Sequence, residues 1–175
     1  MEKSIQKIRQ LIPDYAKDIR LNLDSMLARS SLEDTDAAGV ALAAAFASES
    51  PLLITAIREA QVLPEQEITA VLTAASLMAM NNIWYPYPES TGNADLKGQP
   101  TGLRMNAYAN YGGTERRRFE MYALSASIVG KCDFCIRSHF DLLLKEGMSI
   151  TQLADIGRIA ATIHAAARVI AAEQH

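Results

Sequence analysis

The chain has 175 residues, a formal net charge of −3, 49% hydrophobic but only 6% aromatic residues, and two cysteines. That length suits one domain, or two small fused halves, with a core that needs neither metals nor disulfide staples, and abundant alanine favours closely packed helices over a β-sandwich. The charge balance excludes a basic nucleic-acid face, two cysteines exclude a secreted disulfide framework, and the longest apolar run, Ala37 to Ala47, is too short to span a bilayer.

In chain order, Ser4 to Ile12 reads as a short helix with Ile5, Ile8, Leu11 and Ile12 on one stripe. The start, MEKSIQKIRQ, lacks the apolar core of a signal peptide, so the expected location is the cytoplasm. Pro13 suits the first turn of a second helix carrying Tyr15, Ile19 and Leu23. Ser31 or Asp34 can cap a third, running to Phe46. Ser50-Pro51 opens a fourth, and Pro64 with Glu65 and Glu67 opens a fifth that continues to about Trp84. The stretch Pro86 to Pro100, dense in proline and glycine, reads as the clear loop that divides the chain. Leu103 to Ala109 is ambiguous. Thr114 is placed to cap a helix that reaches Val129 and ends at Gly130, and Arg116 to Arg118 read as its solvated face. The next helix runs from near Cys132 to Glu146, with Gly147 as its stop. Ser149 and Gln152 form a capping-box pattern for the last helix, with Gly157 as the point where it can break. Residues 75–84 also align with residues 126–135 at an offset of 51, a faint internal echo that sets Asn81 and Trp84 against the two cysteines.

Cys132-Asp-Phe-Cys135 is a C-x-x-C motif, and His139 follows four residues later. On a helix the three positions fall within about 60° of one another. Near the helix N-terminus, unpaired N–H groups and the positive dipole end favour a thiolate. In an antiparallel hairpin, Glu120 lies about 15 Å back from the turn and His139 about 10 Å forward of it, so the two come roughly level. A carboxylate beside an imidazole fixes its tautomer and raises its basicity, and the imidazole can then take a thiol proton. Helix position favours Cys132 as nucleophile by about 0.3–1 kcal/mol. General-base help, typically about 10²–10⁴-fold, favours Cys135, one turn from His139. Two other readings stay open at this point: a pair of small buried hydrophobes, and a zinc site made by Cys132, Cys135, His139 and Glu120. His164 reads as a packed or surface residue, and His175 as a disordered terminus.

At these residues the sequence resembles the alkylhydroperoxidase AhpD family, within the carboxymuconolactone decarboxylase-like superfamily. The family pattern is a glutamate, eleven residues, then C-x-x-C-x-x-x-H. Glu120, Cys132, Cys135 and His139 satisfy it, and IPDYAKDIRLNL, MAMNNIWY and GLRMNAYAN extend the likeness over nearly the whole chain. The resemblance implies an all-α fold of two related helical halves: about 1–90, without the cysteine motif, and about 101–175, with it. It implies a homotrimer that reduces alkyl hydroperoxides and hydrogen peroxide with no bound cofactor. In the family, Cys135 would be the peroxide-attacking thiol, Cys132 the resolving thiol, and Glu120 and His139 the proton relay. The implied reductant is the lipoyl group of a lipoylated acyltransferase, recycled by a lipoamide dehydrogenase, and the implied electron acceptor is a partner peroxiredoxin, AhpC. One departure stands out: Asp133-Phe134 replaces the Ser-His often found between the cysteines, which removes one imidazole. A thiol redox adaptor or sensor, and the decarboxylase chemistry of the wider superfamily, are the alternatives.

Overall fold

The computed structural model describes Gln6 and residues 8–174, apart from the side chain of Leu27, and every regular element among them is helical. A 3₁₀ turn at Asp14–Ala16 leads into α1 (Lys17–Ala28). Then follow α2 (Asp34–Ala47), α3 (Pro51–Glu59), α4 (Glu65–Trp84), α5 (Pro86–Thr91) and α6 (Ala94–Lys97). Two 3₁₀ turns, Asn106–Ala109 and Tyr111–Gly113, precede α7 (Arg116–Gly130), α8 (Asp133–Lys145) and α9 (Ile150–Ala172).

The core forms around α2 and α7. Every residue from Asp36 to Ala45 and from Phe119 to Ser127 is buried, so both helices are enclosed on all sides. α2 packs against α3, α4, α7 and α9, and α7 packs against α2, α4, α8 and α9. Small residues permit this closeness. A Cβ on Gly39 of α2 would overlap the ring of Tyr122 on α7. A polar cluster lies between the same helices. Arg118 pairs with Asp36 at 2.9 Å and reaches Glu67 of α4 at 3.8 Å. Glu67 accepts hydrogen bonds from Tyr122 at 2.5 Å and from Thr114 at 2.9 Å.

Several expected boundaries move for physical reasons. Of the first predicted helix, Ser4 and Ile5 lie outside the described residues, as does His175. Ile8 and Ile12 are buried, but Leu11 is exposed. Tyr15 is exposed too, and its hydroxyl donates to Glu173 near the far end of the chain. Neither Ser31 nor Asp34 caps α2: Glu33 is the cap residue, without a side-chain bond, and Ser31 instead donates to Asp155 of α9 through its N–H and its hydroxyl. Thr114 does not cap α7 either, because its hydroxyl is drawn to Glu67. The expected loop from Pro86 contains two short helices. Pro86 and Pro88 sit in the first turn, where a missing N–H costs nothing, and Gly92 stops the turn in a left-handed conformation. Arg116 and Arg117 are exposed as expected, but Arg118 is half-buried, drawn to Asp36 and Glu67. α9 runs unbroken through Gly157 after the capping box at Ser149 and Gln152. Residues 75–84 lie within one continuous helix, whereas residues 126–135 span the junction of α7 and α8.

That junction positions the cysteines. α7 closes in a Schellman pattern, with Cys132 N–H bonded to Ser127 O and Lys131 N–H to Ile128 O. The left-handed residue is Lys131, at φ 55°, and not Gly130. Gly130 is still helical, and its missing Cβ makes room for the side chain of Asn82, which donates to Ala126 O at 3.2 Å. Two residues therefore reverse the chain, and α8 starts back along α7.

Candidate active site

Cys132 is the N-cap of α8, and its Sγ accepts the N–H of Cys135 at 3.2 Å. The two sulfurs are joined in a disulfide across a Cα–Cα distance of 5.3 Å. Their positions follow from the cap: extended backbone at Cys132 turns its side chain over the first turn of α8, where Cys135 also lies. Both sulfurs sit where unpaired helical N–H groups and the dipole favour negative charge.

One turn further along α8, His139 meets Glu120 of α7, as the hairpin register requires. Nδ1 lies 2.5 Å from Glu120 Oε2, and both side chains are more than nine-tenths buried. The other ring nitrogen, Nε2, lies 3.2 Å from Met78 Sδ on α4. A thioether is a weak acceptor, so this contact leaves the imidazole held mainly by the carboxylate of Glu120. In this disulfide form His139 bonds to neither sulfur among the described residues. It shares with Cys135 a cavity of about 230 Å³, which Glu120 and Ser138 also line.

Aromatic rings wall this cavity. Phe134, between the cysteines, is exposed and stacks on Tyr85 with ring centroids 4.5 Å apart. Tyr108 packs edge-on to Phe119. Burial, reinforced by the nearby charge of Glu120, pushes the Tyr108 phenol well above its ordinary range, so it stays a neutral hydrogen-bonding group. A wider groove of about 730 Å³ begins on the far side of Tyr85 and Phe134 and carries Lys131 and Arg137.

The structure thus brings together all four residues selected from the sequence. Met78, Asn81, Tyr85 and Tyr108 were not selected. For α4 a signal existed: Met78, Asn81 and Tyr85 recur at three- and four-residue spacing, which puts a polar amide on an otherwise apolar stripe. For Tyr108 none existed, because a 3₁₀ turn after an irregular segment has no periodicity to read. Among the described residues, no group of three or more His, Cys, Asp and Glu side chains is arranged to hold a metal ion. His164 lies away from the site and shares a 3.0 Å hydrogen bond with Ser48.

A model of the carboxymuconolactone decarboxylase family matches residues 94–174, the part that holds α7, α8 and α9. Among similar proteins is the alkyl hydroperoxide reductase AhpD of Rhodospirillum centenum (strain ATCC 51521 / SW), 43% identical over 172 residues, which cover 97% of this chain and 92% of that protein. The protein of the same name from Maricaulis maris (strain MCS10) is 38% identical over 97% of this chain and 99% of its own length. That from Coxiella burnetii (strain Dugway 5J108-111) is 38% identical over 94% of this chain and 96% of its own length.

Proposed function

The chain belongs to the AhpD family of alkyl hydroperoxide reductases within the carboxymuconolactone decarboxylase-like superfamily, and from this we propose that it reduces organic hydroperoxides and hydrogen peroxide by cycling between a Cys132–Cys135 dithiol and its disulfide. The observation that carries the reading is the buried Glu120–His139 pair sharing one cavity with a C-x-x-C disulfide at a helix N-terminus.

The chemistry follows from the positions. Cys135, one turn from His139, is the attacking thiol, and it loses its proton toward the Glu120–His139 pair. Its thiolate attacks the terminal oxygen of the hydroperoxide. An S–O bond forms as the O–O bond breaks, the alkoxide leaves and takes a proton, and Cys135 becomes a sulfenic acid. Cys132, held within bonding reach at the cap, attacks that sulfur, forms the disulfide and releases water. A dithiol then restores both thiols and is itself oxidised. By the family resemblance that dithiol is the lipoyl group of an acyltransferase served by a lipoamide dehydrogenase, the partner peroxiredoxin is AhpC, the assembly is a homotrimer, and the setting is the cytoplasm. No helix among the described residues is long and apolar enough to cross a membrane.

Single turnover with a sulfenic-acid probe tests the assignment. Cys132→Ser should react once with peroxide and trap the probe on Cys135, while Cys135→Ser should consume peroxide at least a hundred-fold more slowly, given the size of general-base effects. Probe on Cys132 in the second variant, with none on Cys135 in the first, would reverse the roles. The replacement of the family histidine by Phe134 favours one further reading, a redox sensor with little turnover. A sensor would form the disulfide once and fail to cycle with dihydrolipoamide.

A further inference from the structure

The cavity beside Cys135 contains a polar group that the peroxidase chemistry leaves idle. Asn81 lies one turn beyond Met78 on α4, is 3% exposed, and lines the same cavity as Cys135 and His139. Its Oδ1 has no hydrogen-bond partner among the described residues. Its Nδ2 has the thioether of Met105 at 3.8 Å, a weak acceptor. Two other buried polar atoms without a hydrogen-bond partner, Asn82 Oδ1 and Ser127 Oγ, belong to residues that do not line this cavity.

An amide buried with its hydrogen-bonding capacity unspent is unfavourable, and a leucine of similar shape would occupy the place without that cost. Its capacity matches a hydroperoxide. The –O–O–H group offers one donor and acceptor lone pairs on both oxygens, and a carboxamide offers an acceptor and a donor side by side. The terminal torsion of asparagine is broad, so a small turn presents both atoms to the cavity. A neutral amide also adds no charge beside the thiol, whereas a carboxylate or ammonium there would disturb the relay that Glu120 and His139 form.

Resting on the peroxidase reading above, we propose that Asn81 grips the hydroperoxide in that cavity. Oδ1 accepts the hydrogen of the terminal oxygen and holds that oxygen toward Cys135. Nδ2–H donates to the inner oxygen, where charge develops as the O–O bond breaks. The O–O electron pair passes to the inner oxygen, which leaves as alkoxide and is protonated from the Glu120–His139 pair. The Cys135 sulfur is oxidised by two electrons, and the hydroperoxide is reduced to the alcohol.

The test compares two reactions of the same thiol in the reduced protein: disulfide formation driven by cumene hydroperoxide, and alkylation of Cys135 by iodoacetamide, which needs no peroxide recognition. In Asn81→Leu and Asn81→Ala, the ratio of the peroxide rate to the alkylation rate should fall about ten-fold or more, the equivalent of one hydrogen bond. Asn81→Leu should also melt at or above the wild-type temperature, because an idle buried amide has been removed. An unchanged ratio, or parallel losses in both rates, would overturn the proposal and make Asn81 a packing residue. A wild type that alkylates but never oxidises would remove the peroxidase reading itself, an outcome distinct from any behaviour of the variants.

Discussion

Glu120 and His139 show how one carboxylate acts at two distances. At 2.5 Å it fixes the imidazole, and across the cavity it shapes the medium in which a thiol must ionise. Glu120→Gln keeps the shape and removes the charge, so peroxide-driven oxidation should slow by about 10²-fold in stopped-flow traces while the circular dichroism spectrum is preserved. Asp155 shows the opposite use of a buried acid. It accepts bonds from Ser31 N at 2.8 Å, Ser31 Oγ at 2.7 Å and Arg158 at 2.7 Å. Burial pushes its carboxyl up, but these bonds outweigh burial and hold it below the ordinary range. A depressed folded value stabilises the fold above the unfolded value, near 3.9, and that stability is lost as pH falls through the folded value. Asp155→Asn should therefore cost about 1–3 kcal/mol at pH 7 in urea titrations, and the difference should shrink as the solution is acidified past that point. Asp36 runs the other way. Burial holds its carboxyl above the ordinary range against the pull of Arg118 and Arg117, so its ionisation costs stability as pH rises through that raised value.

Two helical glycines separate what the sequence shows from what it conceals. Gly39 in α2 abuts Tyr122, while Gly157 in α9 has open space where a Cβ would stand. Gly39→Ala should destabilise by about 1–3 kcal/mol through overpacking, whereas Gly157→Ala should stabilise by up to about 1 kcal/mol through helix propensity, and thermal melts of the pair should move in opposite directions. Nothing local tells the two apart, since both sit among helix-forming residues. The same limit explains the misplaced caps: Ser31 and Thr114 have capping chemistry, but Asp155 and Glu67, far along the chain, claim their hydroxyls. Where partners are near in sequence, the reading survives. Cys132, Cys135, His139 and Glu120 lie on one hairpin, so helix geometry alone made their meeting legible. Met78 and Asn81 arrive from 61 and 54 residues away from His139 and Cys135, respectively, by a packing that no spacing rule encodes.

At the scale of the whole molecule, the disulfide contributes little to holding the fold. It closes a loop of only three residues' separation, for which chain entropy gives about 2 kcal/mol at most. Oxidised and reduced protein should therefore melt within about 8 °C of each other, as a bond that is broken in every cycle requires. The two central helices differ in bulk. α2 presents mostly alanine and glycine, with Val40 and Leu42, whereas α7 buries Phe119, Met121, Tyr122 and Leu124. A helix as smooth as α2 can rotate or slide against its neighbours with little change in apolar contact. The cluster of Asp36, Glu67, Arg118 and Tyr122 ties α2, α4 and α7 together through directional contacts that depend on their register. It acts as a pin through three rods: a polar expense in the interior that removes degeneracy instead of adding cohesion. Replacing all four with apolar residues of matched volume should leave a chain as resistant to urea as before, or more so, yet with broadened amide resonances from interchanging packings, and with a hairpin no longer held at one fixed depth against α4.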